Sequence, residues 1–173
     1  MKDLITSFQK TVEVIKNKRQ RGKLSDALKK LDSLLKHESL KWNPYLLVLH
    51  SELIQRREKT NGGHWTLESA ELDLHNAVVL DPSSADAKIE LGWFLQNVLD
   101  KPKRALPCFE QAIALCRDQL HSAMLGNVEC LYDLKGPRTA LVELEKVEKV
   151  FPASRRVAQL KSDYLNAMRN LRE

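Results

Sequence analysis

The segment ALPCFEQA, at residues 105–112, carries the pattern that decides the fold. It has alanine at its first and eighth positions and a large apolar residue at its fifth. The same arrangement recurs 35 residues earlier in AELDLHNA (70–77) and 35 residues later in ALVELEKV (140–147), where valine takes the last position. Residues three and four apart share one helical face, so each segment predicts a helix that packs closely against a neighbour. The repeat-packing positions are Ala70, Leu74, Ala77, Ala105, Phe109, Ala112, Ala140, Leu144 and Val147 in these segments, and Gly92 in the helix that precedes the second segment.

The rest of the chain also predicts helices, and no stretch has the alternating pattern of a strand. Gly and Pro number only six each, which favours long helices with short connections over a many-turned β-fold. We predict nine helices, with a break at Arg117 between the sixth and the seventh. The predicted helix starts and caps are Ser25, Asn43-Pro44, Thr66, Ser83, Asp100, Gly136-Pro137 and Ser154.

These features resemble the tetratricopeptide repeat family. The family's second-helix pattern, A-x3-F-x2-A, is matched by the 105–112 segment, and Leu91-Gly92 and Leu125-Gly126 match its first helix. The family's terminal proline follows the first and third segments as Pro82 and Pro152, but Arg117 stands in its place after the second. The resemblance implies an all-α, right-handed superhelix forming a single domain over 1–173. Its predicted parts are helix pairs at about 2–37, 43–80, 84–116 and 118–151 and a capping helix at 154–172.

The resemblance also implies a concave groove, lined by the first helix of each pair, that takes an extended peptide or a partner's helix. Trp93 is the strongest predicted anchor in this groove, although packing between repeats is an equal alternative for its ring. The other predicted groove positions on the fifth and seventh helices are Ile89, Gln96, Asn97, Ala123, Asn127, Cys130 and Leu131. On the third helix they are Leu46, Leu49, His50 and Leu53.

Catalytic motifs such as GxxxxGK[ST], GxGxxG, HExxH and GxSxG are missing from the sequence. The five histidines are scattered, and His64, after two glycines, is predicted to be a plain loop residue. Cys108, Cys116 and Cys130 lack CxxC spacing, so we predict buried small apolar residues rather than a zinc site or a disulfide. We therefore predict no enzyme activity, no cofactor, no metal and no small-molecule substrate.

The net charge of +5 is unevenly distributed, because residues 1–60 carry +7 and the remainder −2. The excess centres on Lys16 to Lys23, a stretch without the interleaved aromatic residues of a single-strand binder, which argues against nucleic-acid binding. No apolar run reaches the roughly 20 residues that span a bilayer. The opening MKDLITSFQK lacks a signal peptide's apolar core, so a cytoplasmic protein is expected.

The sequence thus predicts a non-enzymatic protein–protein interaction module that is adaptor- or chaperone-like. Two alternatives remain open. One is a self-assembling, dimeric scaffold subunit, and the other is a small inhibitor such as an antitoxin or immunity protein.

Overall fold

The computed structural model describes residues 2–57 and 65–170, with side chains described for 8–57 and 65–169. These residues form eight α-helices and contain no strand, so the all-α prediction is confirmed. The predicted loop at Thr60 to Gly63 and the neighbouring His64 lie outside the described residues. The helices are α1 (Lys2–Gln20), α2 (Leu24–Leu35), α3 (Pro44–Arg57), α4 (Leu67–Leu80), α5 (Ala85–Asn97), α6 (Pro102–Lys135), α7 (Pro137–Val150) and α8 (Arg155–Asn170).

Several helices begin where the sequence predicts them to begin. The side-chain oxygens of Asn43, Thr66 and Ser154 each accept a hydrogen bond from the backbone N–H three residues further on, at 3.1, 3.2 and 3.3 Å. Gly136 has a φ of 80°, a left-handed conformation that glycine adopts easily, and a proline follows it at the start of α7. These caps satisfy backbone donors that helix starts leave unpaired.

Three predicted caps are wrong. Ser25 lies inside the first turn of α2, whose N-cap is Lys23. Ser84, not Ser83, caps α5, because its Oγ accepts a hydrogen bond from the backbone N–H of Ala87 at 3.1 Å. The Ser83 hydroxyl instead donates to Asp81 Oδ1 at 2.7 Å. Asp100 has a φ of 51°, and α6 begins two residues after it.

The helix α6 runs without interruption over 34 residues, through the place where the sequence predicts a break. Pro82 and Pro152 come just after α4 and α7 end, since proline has no N–H to continue a helix. Arg117 stands at the corresponding place and keeps its N–H, so nothing stops α6 there. The predicted division at 84–116 and 118–151 is therefore wrong at this junction, and the described helices number eight rather than nine.

The chain forms two compact units, whereas the sequence predicts one domain. In the first, Met1–Ile113, each of α1 to α4 contacts the next helix along the chain, and α3 also contacts α5. Contacts between successive elements are what stacked helix pairs produce. The largest fully buried side chains of this unit's core are Ile15, Leu28, Leu31, Leu46, Leu53, Leu74, Phe94 and Leu95.

The second unit, Ala114–Glu173, is built from α7 and α8, which pack together, and the C-terminal part of α6. Val128 of α6 is fully buried in its core, and the ring of Tyr132 stacks on that of Tyr164 with centroids 4.4 Å apart. The other buried residues of this core are Ala140, Leu144, Val147, Phe151, Val157 and Leu160.

The repeat-packing positions lie at helix contacts within each unit. Phe109 is half-buried and packs against the core of the first unit. The other eight side chains are at most 2% exposed: Ala70, Leu74, Ala77, Ala105, Ala112, Ala140, Leu144 and Val147.

Candidate partner-binding site

The groove positions predicted on α5 lie at the surface of the first unit. Gln96 and Asn97 are exposed, and Ile89 is half-buried. The Trp93 ring is 48% exposed, yet one side of it meets the Phe109 ring edge-on, with centroids 5.0 Å apart. Trp93 is therefore both anchored inside its unit and available to a ligand.

The positions predicted on α3 do not line an open groove, and this part of the prediction is wrong. His50 is only 8% exposed, because α2 and α4 cover it from either side. Its Nδ1 lies 2.6 Å from Asp73 Oδ2 of α4, and its Nε2 lies 3.0 Å from Asp32 Oδ1 of α2, outside hydrogen-bonding geometry. His50 thus links three helices in the interior. The neighbouring predicted positions are core residues: Leu46, Leu49 and Leu53.

The positions predicted on the seventh helix lie on α6, in the second unit. Leu131 is half-buried, whereas Ala123, Asn127 and Cys130 are exposed. They therefore belong to a different unit from the α5 positions.

A pocket of about 300 Å³ opens between α3 and α5, and we call it the α3–α5 pocket. Of the residues that line it, only Ile89 is among the groove positions predicted from the sequence. Its lining residues are Pro44, Tyr45, Val48, Glu52, Asp81, Ser84, Asp86, Ala87, Ile89 and Glu90.

The α3–α5 pocket is acidic, since four of its lining residues carry carboxylates. Burial is the main cause that raises the pKa of the Glu90 carboxyl, and the negative charges of Glu52 and Asp86 raise it further. Arg56 and Arg19 act in the opposite direction, but the net shift of the pKa remains upward. Burial and the neighbouring carboxylates thus outweigh the two arginines in setting the pKa of Glu90.

Two basic residues of α1 reach α3 beside the pocket. Arg19 forms an ion pair with Glu52, and Lys16 Nζ lies 5.4 Å from the centre of the exposed Tyr45 ring. Part of the basic N-terminal stretch is thus engaged within the first unit.

The lining of the α3–α5 pocket suits a long cationic side chain. The apolar surfaces of Tyr45, Val48 and Ile89 can pack along an aliphatic stem, and the carboxylates of Asp86 and Glu90 can accept hydrogen bonds from its charged end. One sequence signal could have revealed this site. Asp86 and Glu90 are like charges four residues apart on a helix, an arrangement that destabilises the helix. Such a pair therefore suggests a role in binding.

The cysteines differ from their predicted environment. Cys116 and Cys130 are exposed, so the prediction that they are buried is wrong. Cys108 is half-buried, and burial raises the pKa of its thiol, although the charges of Lys88 and Arg104 act against the shift. The Cys108 thiol donates a weak hydrogen bond to the Arg104 carbonyl at 3.7 Å.

Within residues 2–57 and 65–170, no helix is long and apolar enough to cross a bilayer. The same described part of the chain contains no cluster of three or more His, Cys, Asp or Glu side chains arranged to hold a metal ion.

No protein-family model matches the chain, and no curated protein matches its sequence. Among solved structures, the chain is similar to two crystal structures of MamA. One has a TM-score of 0.46 and 22% sequence identity, and the similarity covers 90% of this chain and 84% of that one. The other has a TM-score of 0.48 and 20% identity, covering 93% and 87%. Both TM-scores lie below 0.5, so the fold assignment rests on the helices and contacts described above.

Proposed function

We propose that this chain is a non-enzymatic, tetratricopeptide-like interaction module that binds a partner peptide on the first unit, with a Lys or Arg side chain in the α3–α5 pocket. The observation that carries the proposal is the pocket's combination of apolar walls with four carboxylate-bearing residues, which are Glu52, Asp81, Asp86 and Glu90. Adaptor proteins of this kind need only a binding surface.

Electrostatics support a cationic ligand. The raised pKa of Glu90 means that its ionised form is less favourable in the pocket than in water, mainly because of burial. A guanidinium or ammonium group placed beside Glu90 would reverse this effect, so binding and ionisation of Glu90 favour each other. Charge-assisted hydrogen bonds of this kind are stronger than those between neutral groups.

The surface beyond the pocket supports a longer peptide. Trp93 lies one helical turn after Ile89 and Glu90 on α5, and half of its ring is exposed. A large aromatic side chain at such a place can pack against an apolar residue of the ligand. Gln96 and Asn97 follow one turn later and carry amide groups that can pair with a peptide backbone.

The test uses fluorescein-labelled heptapeptides with randomised flanks and a fixed central Lys, Arg, norleucine or Glu. Fluorescence anisotropy with the full chain measures binding. We expect Lys and Arg peptides to bind at least about tenfold more tightly than norleucine peptides, which keep the aliphatic stem and lack the charge. Equal affinity for lysine and norleucine peptides would refute the proposed role of the pocket.

Two variants locate the binding surface. Glu90→Gln combined with Asp86→Asn should abolish the preference for lysine over norleucine. Trp93→Ala should weaken the binding of all the peptides.

Two control variants change residues away from this surface. The control Asp118→Asn removes a negative charge from the exposed surface of α6 in the second unit. The control Leu72→Ala truncates an apolar residue of α4 that is 60% exposed. Neither control should change affinity, and a loss in both would mean that the peptides bind nonspecifically.

A further inference from the structure

In the second unit, one face of α6 exposes residues at the spacing of a helix-pairing seam. Successive residues of this face are separated by four and three positions in turn along the sequence. This is the spacing of residues that a helix buries against another helix. Leu120 is 51% exposed and Leu134 is 80% exposed, and the other members are also exposed. We call this face the α6 stripe, and it consists of Cys116, Leu120, Ala123, Asn127, Cys130 and Leu134.

The α6 stripe is separate from the face by which α6 joins its own unit. That inner face carries Val128, which is fully buried, together with the partly buried Met124 and Tyr132. The stripe therefore faces away from the core formed with α7 and α8.

A glycine beside the stripe supports docking of another helix. Glycine disfavours a helix relative to alanine, so Gly126 in the interior of α6 needs a reason. Nothing in the described structure supplies one, because no atom lies within 4 Å of a Cβ built on Gly126. At Gly92, by contrast, the Phe109 ring fills that space. A glycine with open space on a helix surface lets a second backbone approach closely.

We propose that the α6 stripe pairs antiparallel with the α6 stripe of a second copy of this chain. With the two-fold axis level with residue 125, Leu134 faces Cys116 of the second copy. Leu120 then faces Cys130, and Ala123 faces Asn127. Each leucine meets a smaller side chain, and the small Ala–Asn layers lie at the centre of the seam, where the helices can approach closely. A parallel pair would instead separate its Leu–Leu layers by layers of smaller pairs, which are Cys–Cys, Ala–Ala and Asn–Asn, leaving gaps between the leucines.

Two further features fit this arrangement. Gly126 of each copy lies one residue from the axis on the flank of the stripe, so the two glycines lie near each other beside the seam. Asn127 is the one amide in an otherwise apolar stripe, and a single polar residue at such a seam commonly fixes the register of paired helices. The same patch serves both copies, as a two-fold interface requires.

Sedimentation equilibrium of the full chain from about 1 to 200 µM tests the proposal. We expect the wild type to be a monomer–dimer mixture across this range. Leu120→Glu should raise the dimer dissociation constant at least about 100-fold, since it places a charge in the seam. Val142→Glu introduces the same charge at a 57% exposed residue of α7 in the same unit and should leave the constant unchanged.

A wild-type chain that is monomeric at 200 µM overturns the proposal, and the stripe would then be free for a different protein. A dimer that resists Leu120→Glu, or that Val142→Glu disrupts equally, also overturns it. Gly126→Ala is an independent test: it should weaken the dimer at least about tenfold, because each copy would add a methyl group where the two glycines lie near each other. These measurements use no peptide, so their outcome is independent of the proposed peptide binding.

Crosslinking tests the orientation. In a chain with Cys108, Cys116 and Cys130 replaced by alanine, Ala123→Cys and Asn127→Cys are made separately. Oxidised glutathione takes up the two electrons of disulfide formation. Equimolar mixtures should crosslink faster than either variant alone, because residue 123 faces residue 127 of the second copy. Faster crosslinking by each variant alone would overturn the antiparallel arrangement.

Discussion

The ring of Phe109 occupies the space that a side chain at Gly92 would need. A Cβ placed on Gly92 would lie 2.8 Å from both Cε1 and Cζ of Phe109, closer than such contacts occur in proteins. The same ring supports Trp93, the next residue of α5. Gly92 therefore allows α5 to lie close to α6 within the first unit.

We predict opposite effects of alanine at the two helical glycines. Alanine favours a helix over glycine by about 1 kcal/mol. At Gly92 this gain is outweighed by overpacking against Phe109, which costs about 1–3 kcal/mol, whereas at Gly126 nothing opposes it. Urea unfolding in the Leu120→Glu background, which removes any contribution of dimerisation, should show Gly92→Ala as destabilising and Gly126→Ala as stabilising. Stabilisation by both would contradict the close Gly92–Phe109 contact.

Enlarging a buried alanine of the repeat should destabilise the chain. Ala105 is 1% exposed and Ala140 is completely buried, so leucine at either position should lower the free energy of unfolding by about 1–3 kcal/mol. The control is Ala158→Leu on the exposed side of α8, expected to stay within about 0.5 kcal/mol. Chemical unfolding measures all three, and a neutral result at both buried positions would mean that the repeat register is wrong.

Removing His50 should strongly destabilise the first unit. His50→Leu leaves the Asp73 carboxylate, whose side chain is only 15% exposed, without the imidazole 2.6 Å away. Loss of one partner of a buried polar pair costs about 2–4 kcal/mol. The double variant His50→Leu/Asp73→Leu should recover part of this loss in urea unfolding, because the uncompensated charge is gone. Additive losses would show that the two side chains do not interact.

The raised pKa of Glu90 predicts a specific dependence of stability on pH. The folded chain holds the Glu90 proton more tightly than the unfolded chain does. The free energy of unfolding therefore falls as pH rises from the ordinary carboxyl pKa through the raised one. Glu90→Gln should melt at a higher temperature than wild type at pH 7, and this difference should shrink as pH falls below that window. A variant less stable than wild type at pH 7 would contradict the unfavourable burial of this charge.

The continuity of α6 can be tested by amide hydrogen exchange followed by mass spectrometry. Because Arg117 continues the helix, amides of residues 114–120 should be protected well above the random-coil rate. Arg117→Pro, which restores the proline found after α4 and α7, should abolish that protection, and Arg117→Ala should keep it. Exchange of these amides at the random-coil rate in the wild type would contradict a continuous α6 and support the predicted break at Arg117.

Much of the fold could be predicted from local chemistry. Helix starts at Asn43, Thr66 and Ser154 depend on side chains that reach only three residues along the chain, so the sequence alone reveals them. The sequence predicts a break at Arg117, although the proline that follows the other two segments is absent there. The absence of proline is the better guide to the structure, because Arg117 keeps the N–H that continues the helix.

The candidate site was harder to predict, because it depends on contacts between distant residues. His50 and Trp93 both occupy inward positions in the predicted register, yet His50 is enclosed by carboxylates of two other helices and Trp93 stays half exposed. The acidity of the α3–α5 pocket arises from residues of α3 and α5 that lie some 35 positions apart. No local pattern brings Glu52 next to Glu90.

The three cysteines have different environments, so their reactivity with an alkylating agent can report on the surface of the chain. Thiolate is the form that alkylating agents attack, so the raised pKa and partial burial of Cys108 should make it the slowest to react. Cys116 and Cys130 are exposed and frame the centre of the α6 stripe. Their alkylation rates in the unmodified chain thus report how much of that face is covered, with Cys108 as the internal reference for unfolding.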